Sequence, residues 1–196
     1  MRPQDAPAVA RHHQVGIPTG VLAELRPTVL ARVYQALADG DDSFVFVGTD
    51  SADDVVGFVS GVTDVGRMYR RVIRRNLWTF ATLGLQYAFS PRMIGRLLNT
   101  LIYPAKVVGQ YPRAELLSIV IDPAAQGRGL GTALLRALLA EFRTRGVDRI
   151  KVMVRADFAR ANGYYRKHGF TLAGQIASHG YPANIYVIGT RTPCAD

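Results

Sequence analysis

Apolar residues alternate between two rhythms along this chain. Over 20–38, Leu22, Leu25, Val29, Leu30, Val33, Tyr34 and Leu37 recur at helical spacing with a break at Pro27, which predicts two short helices. Phe44-Val45-Phe46-Val47 and then Val55–Val62 are dense in β-branched and aromatic residues around a polar turn at 50–54, and predict two strands. Residues 113–121 predict another, ending in the β-branched Ile119-Val120-Ile121. A helix is expected over 131–145, a strand over 149–154, a short helix over 161–168 closed by Gly169, and strands over 171–176 and 184–188 around a turn at 178–182. The order specifies one mixed α/β domain over 15–190. Residues 1–14, polar and carrying Pro3, Pro7 and His12-His13, are expected to form a flexible tail, and 191–196 another.

Residues 64–113 break the rhythm. In 67–80 the apolar Tyr69, Val72, Ile73, Leu77 and Phe80 share one helical face, and Arg67, Arg70, Arg71, Arg74 and Arg75 occupy the other, as in a basic amphipathic helix. Ser90-Pro91 is a cap and first-turn pair for a second helix carrying Met93, Ile94, Leu97, Leu98, Leu101 and Ile102. The apolar run over 77–89 is too short for a membrane span, which needs about 20 residues. Lying on an anionic membrane, covering a lipid-linked acceptor, or simply packing on the domain with solvated arginines are the uses open to it.

The densest chemistry lies between strand 113–121 and helix 131–145. Asp122-Pro123 stops the strand, and Gly127, Gly129 and Gly131 alternate just before the helix, so that peptide N–H groups can converge at its positive end and hold a phosphate. The loop is not a nucleoside-triphosphate loop, because no Gly-Lys-Ser/Thr follows, nor G-x-G-x-x-G, because Thr132 stands where Gly or Ala is required. A plain glycine-rich turn is the bland alternative. Read as Q/R-x-x-G-x-G/A, residues Gln126-Gly127-Arg128-Gly129-Leu130-Gly131 resemble the pyrophosphate loop of the GNAT-type N-acetyltransferase superfamily. Downstream, Tyr165-Arg166-Lys167-His168-Gly169-Phe170 is similar to the same superfamily's Tyr-x-x-x-Gly-Phe signature.

The resemblance implies a mixed, mostly antiparallel sheet, splayed at its centre and flanked by helices, with 64–113 as a helical insertion between its strands 3 and 4. It implies acetyl-CoA as co-substrate, with no metal. Gln126, Gly127, Arg128, Gly129, Leu130, Gly131 and Thr132 would hold the pyrophosphate, and Ile119, Val120 and Ile121 the pantetheine and thioester. Tyr165 would protonate the leaving thiolate. Two positions depart from the pattern. Met153 stands twelve residues before Tyr165, where some members carry a glutamate, and Phe158 stands where a coenzyme-contacting asparagine is frequent. Asn162 is expected to take part of the latter role. Glu115 is the first candidate for general base, ahead of His179 in a loop, while His168 is expected on an exposed helix end.

Composition sharpens this reading. The chain has 196 residues, 48% hydrophobic and 20% charged, ordinary for a globular protein. Its net charge of +9 suggests nucleic acid until it is placed: residues 65–113 hold nine of the 24 Lys and Arg and none of the 15 Asp and Glu, so the remainder balances. Those arginines lack interleaved stacking aromatics on one exposed face, which ranks nucleic acid last. The single cysteine, Cys194, forms no intrachain disulfide and suits a reducing, cytoplasmic setting, with peripheral membrane contact through 64–113 as a variant. Asp39, Asp41 and Asp42 form a polar turn without the remaining ligands of a calcium loop. The expected activity is acetyl transfer to a primary amine by direct attack in a ternary complex, the acceptor being an amino sugar or its nucleotide- or lipid-linked form. A non-catalytic acyl-CoA sensor is the alternative, and a second copy of the chain is a partner the reading allows.

Overall fold

The computed structural model describes residues 1–20, 22–75, 110–178 and 181–191. Six strands, β1 (Ser43–Thr49), β2 (Val55–Val62), β3 (Glu115–Ile121), β4 (Arg149–Arg155), β5 (Thr171–Ser178) and β6 (Tyr181–Gly189), form one sheet in the order β1-β2-β3-β4-β6-β5. Every neighbouring pair is antiparallel except β3 and β4. Joining parallel neighbours requires a crossover, and helix α4 (Leu130–Thr144) provides it. Helices α1 (Ala6–Gly16), α2 (Pro27–Ala38) and α3 (Val65–Arg75) precede β3, and α5 (Ala159–Lys167) joins β4 to β5.

The sheet separates two cores. On one face α4 and α5 bury Leu134, Leu135, Leu138, Phe142 and Tyr165 against Leu116, Ile150 and Val152. On the other, Val9, Ala10, Leu30, Tyr34 and Leu37 of α1 and α2 pack on Val45, Phe58, Val62 and Val120.

The sheet parts at its centre for a local reason. Ser60 faces Ser118 and Gly61 faces Leu116, so β3 carries Leu117 as an extra residue, a bulge that bends the strand. Pairing of β3 with β4 is confined to Glu115↔Lys151 and Leu116↔Val152 and stops at that bulge. From Ser118 onward the β4-facing edge of β3 has no strand partner among the described residues.

Several expectations are corrected. Residues 6–16, read as part of a flexible tail, form α1: Ala6, Val9, Ala10 and His13 lie at i, i+3, i+4 and i+7 and are all buried. His12 and His13 are not solvated, since His12 Nε2 bonds Val55 O (2.7 Å) and His13 Nδ1 lies 2.5 Å from the Tyr34 hydroxyl. Pro27 opens α2 in its first turn, and only a 3-10 turn at Leu22–Glu24 precedes it.

Counted in this chain, the long segment after β2 lies between the second and third strands. Its ends meet where Val65 N–H donates to Arg113 O (3.1 Å) and Arg113 pairs with Asp64 (3.5 Å). Arg71, assigned by periodicity to a solvated face, instead pairs with Asp42 and donates to Ser43 Oγ (2.7 Å), docking α3 beside β1. Arg67 and Arg70 of the same face are exposed. The side chains of Arg74 and Arg75, the apolar run over 77–89, the second helix, His179 and Cys194 lie outside the described residues. Among the described residues no helix is long and apolar enough to cross a membrane.

Candidate active site

Where β3 and β4 part, a cleft of about 830 Å³ opens, within the range of small-molecule sites. Ile119, Val120 and Ile121 form one wall, the loop from Ala125 to Thr132 its base, and Phe158, Arg160, Tyr164, Tyr165, Lys167 and His168 the opposite wall. Gly16, at the end of α1, reaches it from the other face of the sheet.

The base is built by turn chemistry. The Asp122 carboxylate accepts from Ala124 N–H (2.8 Å), fixing the 3-10 turn Pro123–Ala125 that swings the chain out of β3. Gly127 and Gly129 then take φ of 77° and 79°, the left-handed region that costs other residues about 1–2 kcal/mol. Gly129 is the N-cap of α4 and has no side chain to offer, and the helix's first internal bond runs from Ala133 N–H to Gly129 O (3.0 Å). The N–H groups of Leu130, Gly131 and Thr132 are therefore left without helical acceptors at the positive end of a 15-residue helix, beside the cleft. Gly131 differs from the other two glycines: it lies within the helix, and a Cβ there would make ordinary contacts of 3.6–3.7 Å with Tyr164 and Ile121.

The loop is tied to both walls. Gln126 Nε2 donates to Ile121 O (3.0 Å), and Gln126 Oε1 accepts from Arg160 Nη2. Along α5, Arg160, Tyr164 and His168 follow at i, i+4 and i+8 and face the cleft together. The i, i+4, i+8 spacing is itself the signal that the sequence carries for this wall. His168, expected on an exposed helix end, is 2% exposed and bonds Thr132 Oγ1 (3.0 Å) and Tyr164 O (2.8 Å).

Tyr165 is 5% exposed, held edge-on by Tyr164 and Phe170, with Tyr186 stacked beyond. No described residue hydrogen-bonds its hydroxyl, and Tyr165 lines the cleft. Burial, with Tyr164 acting in the same direction, pushes this phenol above the ordinary tyrosine range. It keeps its proton at neutral pH, so the group facing the cleft is an O–H donor.

Three expected site residues are placed elsewhere. Glu115 is 5% exposed and pairs with Lys151 Nζ at 3.2 Å across the parallel strands, while Lys151 also donates to Pro112 O (2.6 Å). Its carboxylate is engaged in a buried ion pair, and Glu115 is not among the residues that line the cleft. Asn162 is 3% exposed, and both ends of its amide are used: Nδ2 donates to Arg155 O (2.8 Å) and Phe158 O (2.7 Å), and Oδ1 accepts from Asn184 Nδ2 (2.7 Å) and Tyr186 (3.0 Å). It locks the turn before α5, and it is not among the residues that line the cleft. Arg128 is exposed at the loop tip and is not among the lining residues. The remaining expected residues, Ile119, Val120, Ile121, Gln126, Gly127, Gly129, Leu130, Gly131, Thr132 and Tyr165, converge on the one cleft.

An uncapped helix end and a free strand edge beside a cleft of about 830 Å³ suit a long ligand with an anionic head and an amide-bearing arm. Comparison with known proteins agrees. A mycothiol acetyltransferase from Beutenbergia cavernae is 44% identical over 68 residues, 35% of this chain and 23% of that protein. A ribosomal protein bS18-alanine N-acetyltransferase from Salmonella typhimurium is 44% identical over 69 residues, 35% of this chain and 46% of that one. The match thus spans less than half the length of either curated relative. Among solved structures, SsHAT superposes with a TM-score of 0.65 at 23% identity, over 97% of this chain and 96% of that one. An acetyltransferase from Thermus thermophilus gives 0.56 at 17% identity, over 96% and 93%. The family model for the acetyltransferase (GNAT) family matches residues 19–170, most of the chain, and the protein belongs to that family.

Proposed function

We propose that this protein transfers an acetyl group from acetyl-CoA to a primary amine by direct attack within a ternary complex. The pyrophosphate is held by the N–H groups of Gly129, Leu130, Gly131 and Thr132, with Gln126 bracing the loop. The pantetheine arm runs along the free edge of β3 at Ile119, Val120 and Ile121, where its amides extend the ladder that β4 leaves unmade. The amine nitrogen bonds the acetyl carbon as the carbon–sulfur bond breaks, Tyr165 protonates the departing thiolate, and the amine's surplus proton leaves to solvent. The observation that carries this reading is the hydroxyl of the buried Tyr165 side chain, which no described residue hydrogen-bonds and which opens on the cleft that ends at the uncapped helix.

The relatives' names point to two unlike acceptors, mycothiol and a protein alanine, so both classes are screened. An amino sugar, free or nucleotide- or lipid-linked, is the first acceptor class to screen, and an alanine-initiated peptide the second. Calorimetry with acetyl-CoA, on the parent and on Gly129→Glu, tests the donor site. The variant combines backbone strain with a negative charge in the cradle and is expected to lose binding while remaining folded. A folded parent that does not bind acetyl-CoA removes the reading.

A further inference from the structure

Four residues of the cleft wall form a closed ring of contacts. Tyr164 donates its hydroxyl hydrogen to Gly131 O (3.0 Å), and Tyr164 O faces His168 Nδ1 (2.8 Å). His168 Nε2 in turn lies 3.0 Å from Thr132 Oγ1, and Thr132 follows Gly131 in the chain. A carbonyl only accepts, so Nδ1 carries a hydrogen, and in that tautomer Nε2 offers a lone pair to the Thr132 hydroxyl. The imidazole also lies against the Tyr164 ring, with centroids 4.2 Å apart.

This ring joins the two functional halves of the cleft. Gly131 and Thr132 belong to the first turn of α4, whose free N–H groups form the proposed cradle, and Tyr164 immediately precedes Tyr165 and packs edge-on against it (5.3 Å). The shared core sets the bodies of α4 and α5, and the ring adds polar contacts between their cleft-facing parts, beside a loop where nothing lies within 4 Å of where a Cβ would stand on Gly127 or Gly129. Gln126 ties the outer loop to both walls, through Arg160 and Ile121 O.

We propose that His168 is a positioning residue: through Thr132 and Tyr164 it sets the separation between the phosphate cradle and the Tyr165 hydroxyl, so that a donor anchored at one end presents its sulfur to the other. The proposal rests on the acetyl-transfer reading above. Breaking the ring leaves each half intact and changes only their register, so turnover falls and anchoring persists.

The test uses Thr132→Val, Thr132→Ser, His168→Phe and the Val/Phe double variant. Calorimetry gives the affinity for coenzyme A, and thiol release from saturating acetyl-CoA gives turnover, with glucosamine or, failing that, water as acceptor. Thr132→Val and His168→Phe are each expected to lower turnover about ten-fold or more, with coenzyme A affinity within about three-fold of the parent. The double variant is expected to be no slower than the slower single, and Thr132→Ser to restore the parent rate. Weaker coenzyme A binding by Thr132→Val with unchanged turnover would make Thr132 a direct ligand contact and overturn the proposal. So would additive losses, or parent-like turnover in both folded single variants. Should His168→Phe fail to fold, by melting, the Val/Ser pair at Thr132 decides alone. A parent that binds coenzyme A yet releases no thiol is seen before any variant is made, and overturns the acetyl-transfer reading and this proposal together.

Discussion

Two buried histidines lie on opposite faces of the sheet, and they differ in what surrounds them. His13 on α1 is 3% exposed among Val9, Ala10, Leu30 and Phe58, its Nδ1 against Tyr34, whose hydroxyl donates to Ser118 Oγ (3.4 Å). Burial pushes its pKa down to about 4. His168 is as deeply buried, but its neighbours line a cleft. A buried titratable side chain therefore does not by itself mark a functional site; a cavity wall beside it does. Substitutions on the α4–α5 face should act on chemistry, and those on the α1–α2 face on stability.

The largest effect should come from Tyr165→Phe. Removing the proposed proton donor is expected to lower turnover about 10²–10⁴-fold with coenzyme A affinity and melting temperature near those of the parent. Because burial raises this phenol, the parent's rate should show no falling limb up to about pH 10, where an ordinary tyrosine would begin to ionise. Steady-state kinetics across pH, beside calorimetry, check both statements, and a Tyr165→Phe variant with parent turnover would break the comparison at its stronger side.

On the other face, His13 predicts a pH-dependent stability. Its ring is held neutral in the fold, with a pKa near 4 against 6.5 for the free side chain, so below pH 6.5 the unfolded chain binds a proton that the folded chain refuses. The associated stability is complete above pH 6.5 and is lost as pH falls toward 4, by at most about 3 kcal/mol. Denaturant titrations at a series of pH values should show this slope in the parent and a shallower one in His13→Phe. Equal slopes would mean that other groups carry the acid response.

How much of this was legible follows from where each signal resides. The strands were readable because Phe44-Val45-Phe46-Val47, Val55–Val62 and Ile119-Val120-Ile121 are β-branched or aromatic runs, and the cleft because Gly127, Gly129 and Tyr165 lie in local motifs. Helix α1 was missed because its buried stripe consists of two alanines, a valine and a histidine, too weakly apolar to outweigh Pro3, Pro7 and the polar residues. Glu115 was misassigned because its partner, Lys151, lies on a strand brought alongside only by the crossover. For Asn162, the ligands that occupy its amide oxygen, Asn184 and Tyr186, come from β6. Side-chain roles set by tertiary partners leave no trace in local spacing.

Asn162 sharpens the comparison from inside the donor face, since it is expected to behave like a residue of the opposite one. Asn162→Ala leaves the carbonyls of Arg155 and Phe158 and the donors of Asn184 and Tyr186 without their shared partner, and should cost about 2–3 kcal/mol. Coenzyme A affinity of the folded fraction should stay within about three-fold of the parent. A ten-fold loss of affinity at unchanged stability would return Asn162 to the ligand.

The smallest effect concerns the third glycine of the loop. Gly127→Ala and Gly129→Ala would each place a side chain at positive φ and should cost about 1 kcal/mol. Gly131 sits inside α4, where alanine is the better helix former and its Cβ would meet Tyr164 and Ile121 at ordinary distance. Gly131→Ala is therefore expected to stabilise the fold by about 0.5–1 kcal/mol, measured by denaturant titration. Coenzyme A affinity separates two reasons for a glycine here. If it is unchanged, the first turn of α4 needs only its free N–H groups, and the alternation of glycines carries no meaning beyond Gly129. If it falls while stability rises, the pantetheine arm passes between Tyr164 and Ile121 so closely that a methyl group obstructs it, and Gly131 is kept bare for the ligand at the expense of the helix.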